Sequence, residues 1–210
     1  MRKITLKKKV ICGSIILILL ALFLYWWFII RIEICFNYNR SVMENNLYFT
    51  CNDLGNCAFV SSYQWDGTDE KKTITIPNEV GENKVTRLGG YSGRGCPEPF
   101  LISLTDDYRI TIDGEKIYSF NSEDELDTWG FEYEIENVRF TLNIGKGINK
   151  VVNVDMSNYY PKENEKGKVI LYHPVVYIEC DEDNRTFYSK DGKLYYKSND
   201  ELVNDFAYAE

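Results

Sequence analysis

The chain has 210 residues, with 24 Lys and Arg against 32 Asp and Glu and a formal net charge of −8. Met1 to Arg31 holds six of the 24 basic residues and no acid, which leaves 18 basic against 32 acidic residues, a net of −14, on the remaining 179. An exterior so acidic repels nucleic-acid phosphates and anionic lipid headgroups, so a nucleic-acid-binding role is disfavoured, and a length of 179 suits one medium domain.

Residues 1–9 form a basic flank with Arg2, Lys3, Lys7, Lys8 and Lys9. Residues 10–30, VICGSIILILLALFLYWWFII, carry no charge, and at about 1.5 Å rise per residue a helix of that length spans roughly 31 Å, the thickness of a bilayer core. The run is expected to be a transmembrane signal-anchor. Basic residues before it, with only Arg31 close behind, place the N-terminus in the cytoplasm and the bulk of the chain outside. Lys7, Lys8, Lys9 and Arg31 flank the run, and Tyr25, Trp26 and Trp27 mark its exit at the headgroup boundary. A cleaved signal peptide is disfavoured, because no A-x-A pattern follows and Ala21 is the one alanine of the run. A lipoprotein signal fails too, since Cys12 precedes the apolar core.

Residues 31–45 read as a linker or a first strand, and 46–210 as an extracellular β-rich domain. Strand-like runs are expected at Leu47 to Thr50, Ala58 to Trp65, Lys72 to Ile76 and Lys84 to Leu88, punctuated by Asn45-Asn46, Asp66-Gly67 and Gly89-Gly90. Gly89 to Pro99 is rich in breakers and reads as a loop. YRITI-DG-EKIYSF, from Tyr108, is a hairpin with Asp113-Gly114 at a type I′ turn. Ser122 to Trp129 is the one convincing helix beyond the anchor, with Ser122 and Glu125 as a capping box. Strands follow at Phe131 to Ile135, Val138 to Ile144, Lys150 to Val154, and in two pieces around Pro174; Lys162 to Lys168 reads as a polar loop. Asp191-Gly192 sets a second hairpin, and the tail from Asn199 reads as a short helix or a frayed end.

Five cysteines lie beyond the apolar run, an odd set that cannot all pair within one chain. Cys51 and Cys57 are separated by five residues that include Asp53 and Gly55. That spacing suits either a local disulfide across a tight turn or two buried thiols.

Internal similarity is present. Ile74, Ile76 and Val80 have spacings of two and four, as do Leu142, Ile144 and Ile148, and each triplet is followed by a pair three apart, Val85 with Leu88 and Val151 with Val154. Short strands with a fixed inward pattern are what stacked repeats require, since no single turn buries its own apolar face. ITIPNEV with KVTRLGGYSGRGC, residues 74–96, resembles the repeat of BspA-like bacterial leucine-rich repeat proteins. LNIGKGINKV within 142–154, and VVYIECDEDNRTFYSKDGKLYYK over 175–197, resemble further partial copies. The resemblance implies a mainly β ectodomain with degenerate solenoid-like strands, on a bacterial surface protein used in adhesion or binding, without catalytic residues. Tyr91 to Arg94 replace the usual Ala-Phe pair before the repeat cysteine, here Cys96, and Asp106 to Asn137 are an insertion.

Catalytic constellations are missing. His173 is the single histidine, without a local Cys-His or Ser-His motif, and no C-x-x-C pair supplies zinc ligands. Asp181, Asp183 and Asn184 suggest calcium, but Arg185 stands at the fifth loop position and no glycine at the sixth, so a turn is the better reading. No catalytic, cofactor or metal residue is expected. The sixteen tyrosines are the feature that fits recognition, and Tyr159, Tyr160, Tyr188, Tyr195 and Tyr196 form the candidate binding surface. The expected partners are the lipid bilayer, through residues 10–30, and an extracellular protein or glycan, in a non-catalytic interaction, adhesion or scaffold role. The alternatives are a membrane-tethered hydrolase using ectodomain carboxylates, or an accessory subunit of a membrane complex.

Overall fold

The computed structural model describes residues 16–26, 40–52, 55–67, 72–91, 96–105, 108–122, 125, 128, 130 and 132–209. Strands dominate it, in chain order β1 (Arg40–Glu44), β2 (Leu47–Asn52), β3 (Cys57–Trp65), β4 (Thr73–Thr75), β5 (Glu79–Val80), β6 (Asn83–Leu88), β7 (Gly90–Tyr91), β8 (Pro97–Glu98), β9 (Leu101–Leu104), β10 (Ile110–Ile112), β11 (Glu115–Ile117), β12 (Tyr133–Ile144), β13 (Lys150–Val151), β14 (Tyr160–Glu163), β15 (Val169–Cys180), β16 (Phe187–Lys190) and β17 (Lys193–Tyr196). The fold is mainly β, as the alternating sequence implies.

Two sheets carry the molecule. One runs β1-β2-β3-β6-β13, with β5 beside β6 and β9 beside β3; the other runs β14-β15-β12-β4. The first opens as an antiparallel meander and turns parallel where β3 meets β6 and β9. In the second, β12 lies parallel to both β15 and β4. Alternate residues of both sheets point into one core, where Phe49, Val60, Phe140, Leu142 and Ile178 are buried. The Trp65 ring meets Phe140 edge-on at 5.4 Å between centroids. A smaller cluster of Ile110, Phe120 and Leu171 lies under the β10-β11 hairpin.

The register brings residues of the similarly spaced triplets side by side. Leu142 stands opposite Ile74 on one flank and Ile178 on the other, and Ile144 stands opposite Cys180. Ile178, Cys180 and Asn184 therefore repeat the spacing of two and four, with Asn184 in the place of Val80 and Ile148. The second part of the expected pattern shifts, for Leu88 pairs with Val151 where the spacing matched Val85 to it.

Both expected I′ hairpins form, since Asp113, Gly114, Asp191 and Gly192 all have positive φ. Gly192 is demanded twice over, by a φ of 75° and by the Tyr177 ring 2.2 Å from where a Cβ would stand. Asn45 and Asn46 make a third such turn, with φ of 51° and 64°. β1 therefore joins the first sheet, and Arg40–Glu44 of the stretch read as a linker or a first strand are a strand.

Other expectations are corrected. The two strand pieces around Pro174 are one strand. Pro174 falls between Tyr172, the last residue paired with β14, and Val176, whose N–H is taken by Ala207 O at 2.8 Å. Its missing N–H faces that gap, so no ladder bond is lost. The pieces on either side of Glu136 are likewise one strand, β12, because β15 pairs with it along its whole length. β14 extends into the expected polar loop as far as Glu163, and β7 with β8 forms a short ladder at the ends of the breaker-rich stretch. β9 lacks any turn signal of its own and is ordered by parallel pairing with β3.

The tail is neither helical nor frayed: Val203 and Phe206 are buried, and Tyr208 bridges Val176. The proposed Cys51–Cys57 disulfide is absent. Cys51 stands opposite Ala58 and Cys57 opposite Asn52, so the two thiols leave opposite faces of the β2-β3 ladder. Of the expected 122–129 helix, residues 125 and 128 are helical, and Glu125 N donates to Ser122 Oγ at 3.2 Å. Glu125 Oε2 reaches back to Asn121 N at 2.8 Å, one residue earlier than a capping box requires.

Residues 16–26 are helical, and every one of them is exposed. At about 1.5 Å per residue this helix is roughly 16 Å long. Among the described residues no helix is long and apolar enough to cross a membrane. Residues 10–15 and 27–30, with Lys7, Lys8, Lys9, Trp27 and Arg31, lie outside the described residues.

Asn184 ties the turn after β12 to the start of β16. Its side chain is buried and fully used: Nδ2 donates to Gly145 O at 2.9 Å and Ile148 O at 2.8 Å, while Oδ1 accepts from Thr186 N and Phe187 N. Asn184→Ala strands four backbone groups, and a loss of about 3 kcal/mol is expected in urea denaturation.

Candidate interaction surface

Strands β4, β12 and β15 end together, and their carboxyl ends frame a groove of about 650 Å³. Thr75, Asn78, Asn143, Glu179, Asp181 and Asp183 are among its lining residues. In-register pairing puts them there: Asn143 lies between Thr75 on β4 and Glu179 on β15. Asn143 Nδ2 donates to Thr75 Oγ1 at 3.2 Å, and Asn143 Oδ1 has no hydrogen-bond partner among the described residues. Asn78 Oδ1 accepts from Gly147 N at 3.1 Å, and Asp181 Oδ1 accepts from Asp183 N at 2.8 Å, which closes a local turn. Among the described residues no group of three His, Cys, Asp or Glu is placed to hold a metal ion. The groove offers oxygen acceptors and carboxylate charge, a lining suited to a donor-rich cationic segment.

The five tyrosines separate. Tyr188 and Tyr195 face each other across the β16-β17 hairpin, stacked at 5.3 Å with 21° between ring planes, and Tyr188 OH donates to Asp200 Oδ1 at 3.2 Å. Tyr196, next along β17, points to the other side and packs on Phe187 at 5.1 Å. Tyr159 stacks on His173 at 4.6 Å. Tyr160 is a correction to the expected surface: it is buried and its OH donates to Ile102 O at 2.9 Å. Strand alternation separates each adjacent pair, so Tyr188 and Tyr195 make the one stacked cross-strand pair of the five.

Tyr25 and Trp26 are exposed at the end of the described part of the apolar helix. In the sequence Asp181 and Asp183 read as a turn and Thr75, Asn143 and Glu179 as strand residues, and nothing in three separate segments says that their ends coincide.

Protonation states bear on the chemistry. Burial pushes the Cys180 thiol up to about 11, opposed by Lys197 and assisted by Asp181. Its S–H points to Phe187 O at 3.6 Å. A thiol so held is a poor nucleophile at neutral pH. Burial raises the Tyr160 phenol, with Asp155 adding to it, and burial pushes Tyr208 up to about 12.

No protein-family model matches the chain, and no curated protein matches it. Among solved structures it is similar to the crystal structure of the pneumococcal vaccine antigen PcpA, at 13% identity over 77% of this chain, with a TM-score of 0.20. The chain spans 55% of the length of that protein.

Two outcomes are expected. Alkylation of Cys180 in the folded protein at pH 8 runs at least about a hundredfold slower than in the unfolded chain, as two pH units of thiolate suppression require, read by mass spectrometry of the labelled peptide. Tyr160 and Tyr208 keep their protons longer when folded than their ordinary 10.0. Their contribution to stability is complete below about pH 10 and is lost as pH rises toward 12. Urea denaturation between pH 9 and 11.5 shows that decline, and Tyr160→Phe makes it shallower.

Proposed function

We propose that the chain is a single-pass, N-inside protein of a bacterial cell membrane, carrying on its outer side a β domain with degenerate BspA-like repeats that acts by non-catalytic binding. The observation that carries the reading is the apolar helix over residues 16–26. Its side chains, Leu17 and Leu22 among them, are all exposed, at the N-terminal end of a chain whose remainder is strongly acidic. Such a surface is costly in water and favourable in a bilayer, and the uncharged sequence continues on both sides of it. The parallel register of Ile74, Leu142 and Ile178 supports the repeat reading, because equivalent residues of successive copies lie side by side.

Binding in place of catalysis is supported by the state of the usual reactive groups. The single histidine stacks on Tyr159, and the Cys180 thiol is held in its neutral form. The acidic groove and the Tyr188-Tyr195 pair supply hydrogen-bond acceptors and flat apolar area, the two contact types that protein and glycan recognition use.

Protease shaving of intact cells that express the full chain tests the reading. The C-terminal domain is digested from outside, while an N-terminal fragment that includes residues 1–9 stays protected and remains in the membrane fraction after alkaline carbonate washing. A C-terminal domain protected inside intact cells, or a full chain released by carbonate, overturns it.

A further inference from the structure

Two turns stand side by side at the carboxyl ends of the parallel strands, and between them they present charge of both signs. Residues 145–149 follow β12 and residues 181–186 follow β15. The buried Asn184 fastens one to the other, donating to Gly145 O and Ile148 O and accepting from Thr186 N and Phe187 N. On one side lies the groove described above. Its lining includes Ile76, Pro77 and the four carboxylates of residues 179 and 181–183, and holds no Lys or Arg among the described residues. On the other side lies a cleft of about 490 Å³, whose charged lining residues are Lys146, Arg185 and Asp183. Asp183 belongs to both linings, so the two depressions meet there.

The opposite charges do not cancel one another. Among the described residues no ion pair joins Lys146 or Arg185 to Glu179, Glu182 or Asp183, although Asp183 and Arg185 belong to one turn. Asn184 fixes the backbone that carries them, so a partner meets a surface already shaped, with little ordering left to do. The groove crosses the ends of β4, β12 and β15. Two interstrand spacings of about 4.8 Å make roughly 10 Å, the reach of about three extended residues.

We infer that the two depressions together bind an extended segment of a partner protein in which basic residues adjoin acidic ones. The basic half lies in the groove, its ammonium or guanidinium groups against Glu179 and Asp183 and its methylene stems on Ile76 and Pro77. The acidic half passes Asp183 into the cleft and meets Lys146 and Arg185. A wholly basic segment is opposed in the cleft, and a wholly acidic one in the groove and by the acidic domain around it, so the surface selects a pattern of charge. The inference rests on the non-catalytic binding reading and names the class of partner that this surface takes.

The test uses the full chain in a nonionic detergent with capped, fluorescent hexapeptides, read by anisotropy. The probes are Arg-Ser-Arg-Glu-Ser-Glu and its reversed order, with Arg-Ser-Arg-Ser-Ser-Ser and Arg-Ser-Arg-Arg-Ser-Arg as controls. At least one dipolar order binds with a Kd below about 1 mM, and more tightly than either control. Glu179→Gln and Asp183→Asn each weaken it about threefold. Lys146→Glu combined with Arg185→Glu weakens the dipolar probe about tenfold and tightens the wholly basic one, a reversal that an unfolded variant does not give. Wild type that binds neither dipolar order, a control bound as tightly as the dipolar probe, or a double reversal that leaves the preference unchanged overturns the dipolar partner. Cleavage of a probe, seen as a change in its mass, overturns the non-catalytic reading instead.

Discussion

The structure depends on β12 being buried along its inner face from Val138 to Ile144, where it is paired in parallel on both flanks. Phe140, Leu142 and Ile144 point into the core from alternate positions, β15 matches the strand over twelve residues, and β4 closes the other flank at Thr141 to Asn143. Each parallel neighbour reaches its place only through a long excursion of the chain, so the sheet is not assembled from local hairpins. The excursions do structural work: the one between β4 and β12 contributes strands of the opposite sheet, which supply the other wall of the core.

The outer strands of the two sheets are covered in different ways. At the N-terminal end, β1, β2 and β3 form an antiparallel meander. At the far end, β15 receives β14 along its first residues and the C-terminal segment from Val176 onward, with the β16-β17 hairpin folded against it. Pro174 sits between these two covers, where the ladder has no bond to offer it. Asn184 stands four residues after Cys180, where Ile148 stands four residues after Ile144, and its amide ties Gly145 and Ile148 to the start of β16. A buried polar group is tolerable there because every donor and acceptor of the side chain is used.

The same alternation that buries one face of the second sheet exposes the other, and this decides where its polar side chains sit. Thr75, Asn143 and Glu179 come together because they are in register on neighbouring strands, and their strands end at a groove edged with carboxylates. The net negative charge of the domain adds to that field, so cationic groups are drawn to it and anionic ones are repelled. The Tyr188-Tyr195 stack offers flat, hydrogen-bonding area on the C-terminal hairpin.

The sequence by itself determined what depends on neighbours in the chain. Asn-Asn and Asp-Gly pairs define the three tight turns because few residues accept positive φ, β-forming residues mark β3 and β6, and alternation of apolar and polar residues marks β4. The triplets at Ile74 and Leu142 anticipate which residues lie side by side. Tertiary structure alone decided what depends on partners far along the chain. It merged the pieces around Glu136 and Pro174 into single long strands, since pairing with β12 and β15 outweighs a local breaker. It ordered β9 and the C-terminal tail by pairing and burial, and sent Cys51 and Cys57 to opposite faces through the β2-β3 register. It took Tyr160 from the surface to the core while leaving Tyr188 and Tyr195 stacked. Local conformational preference is written residue by residue, whereas strand register is set by which alignment buries the most apolar surface, a property of the whole chain.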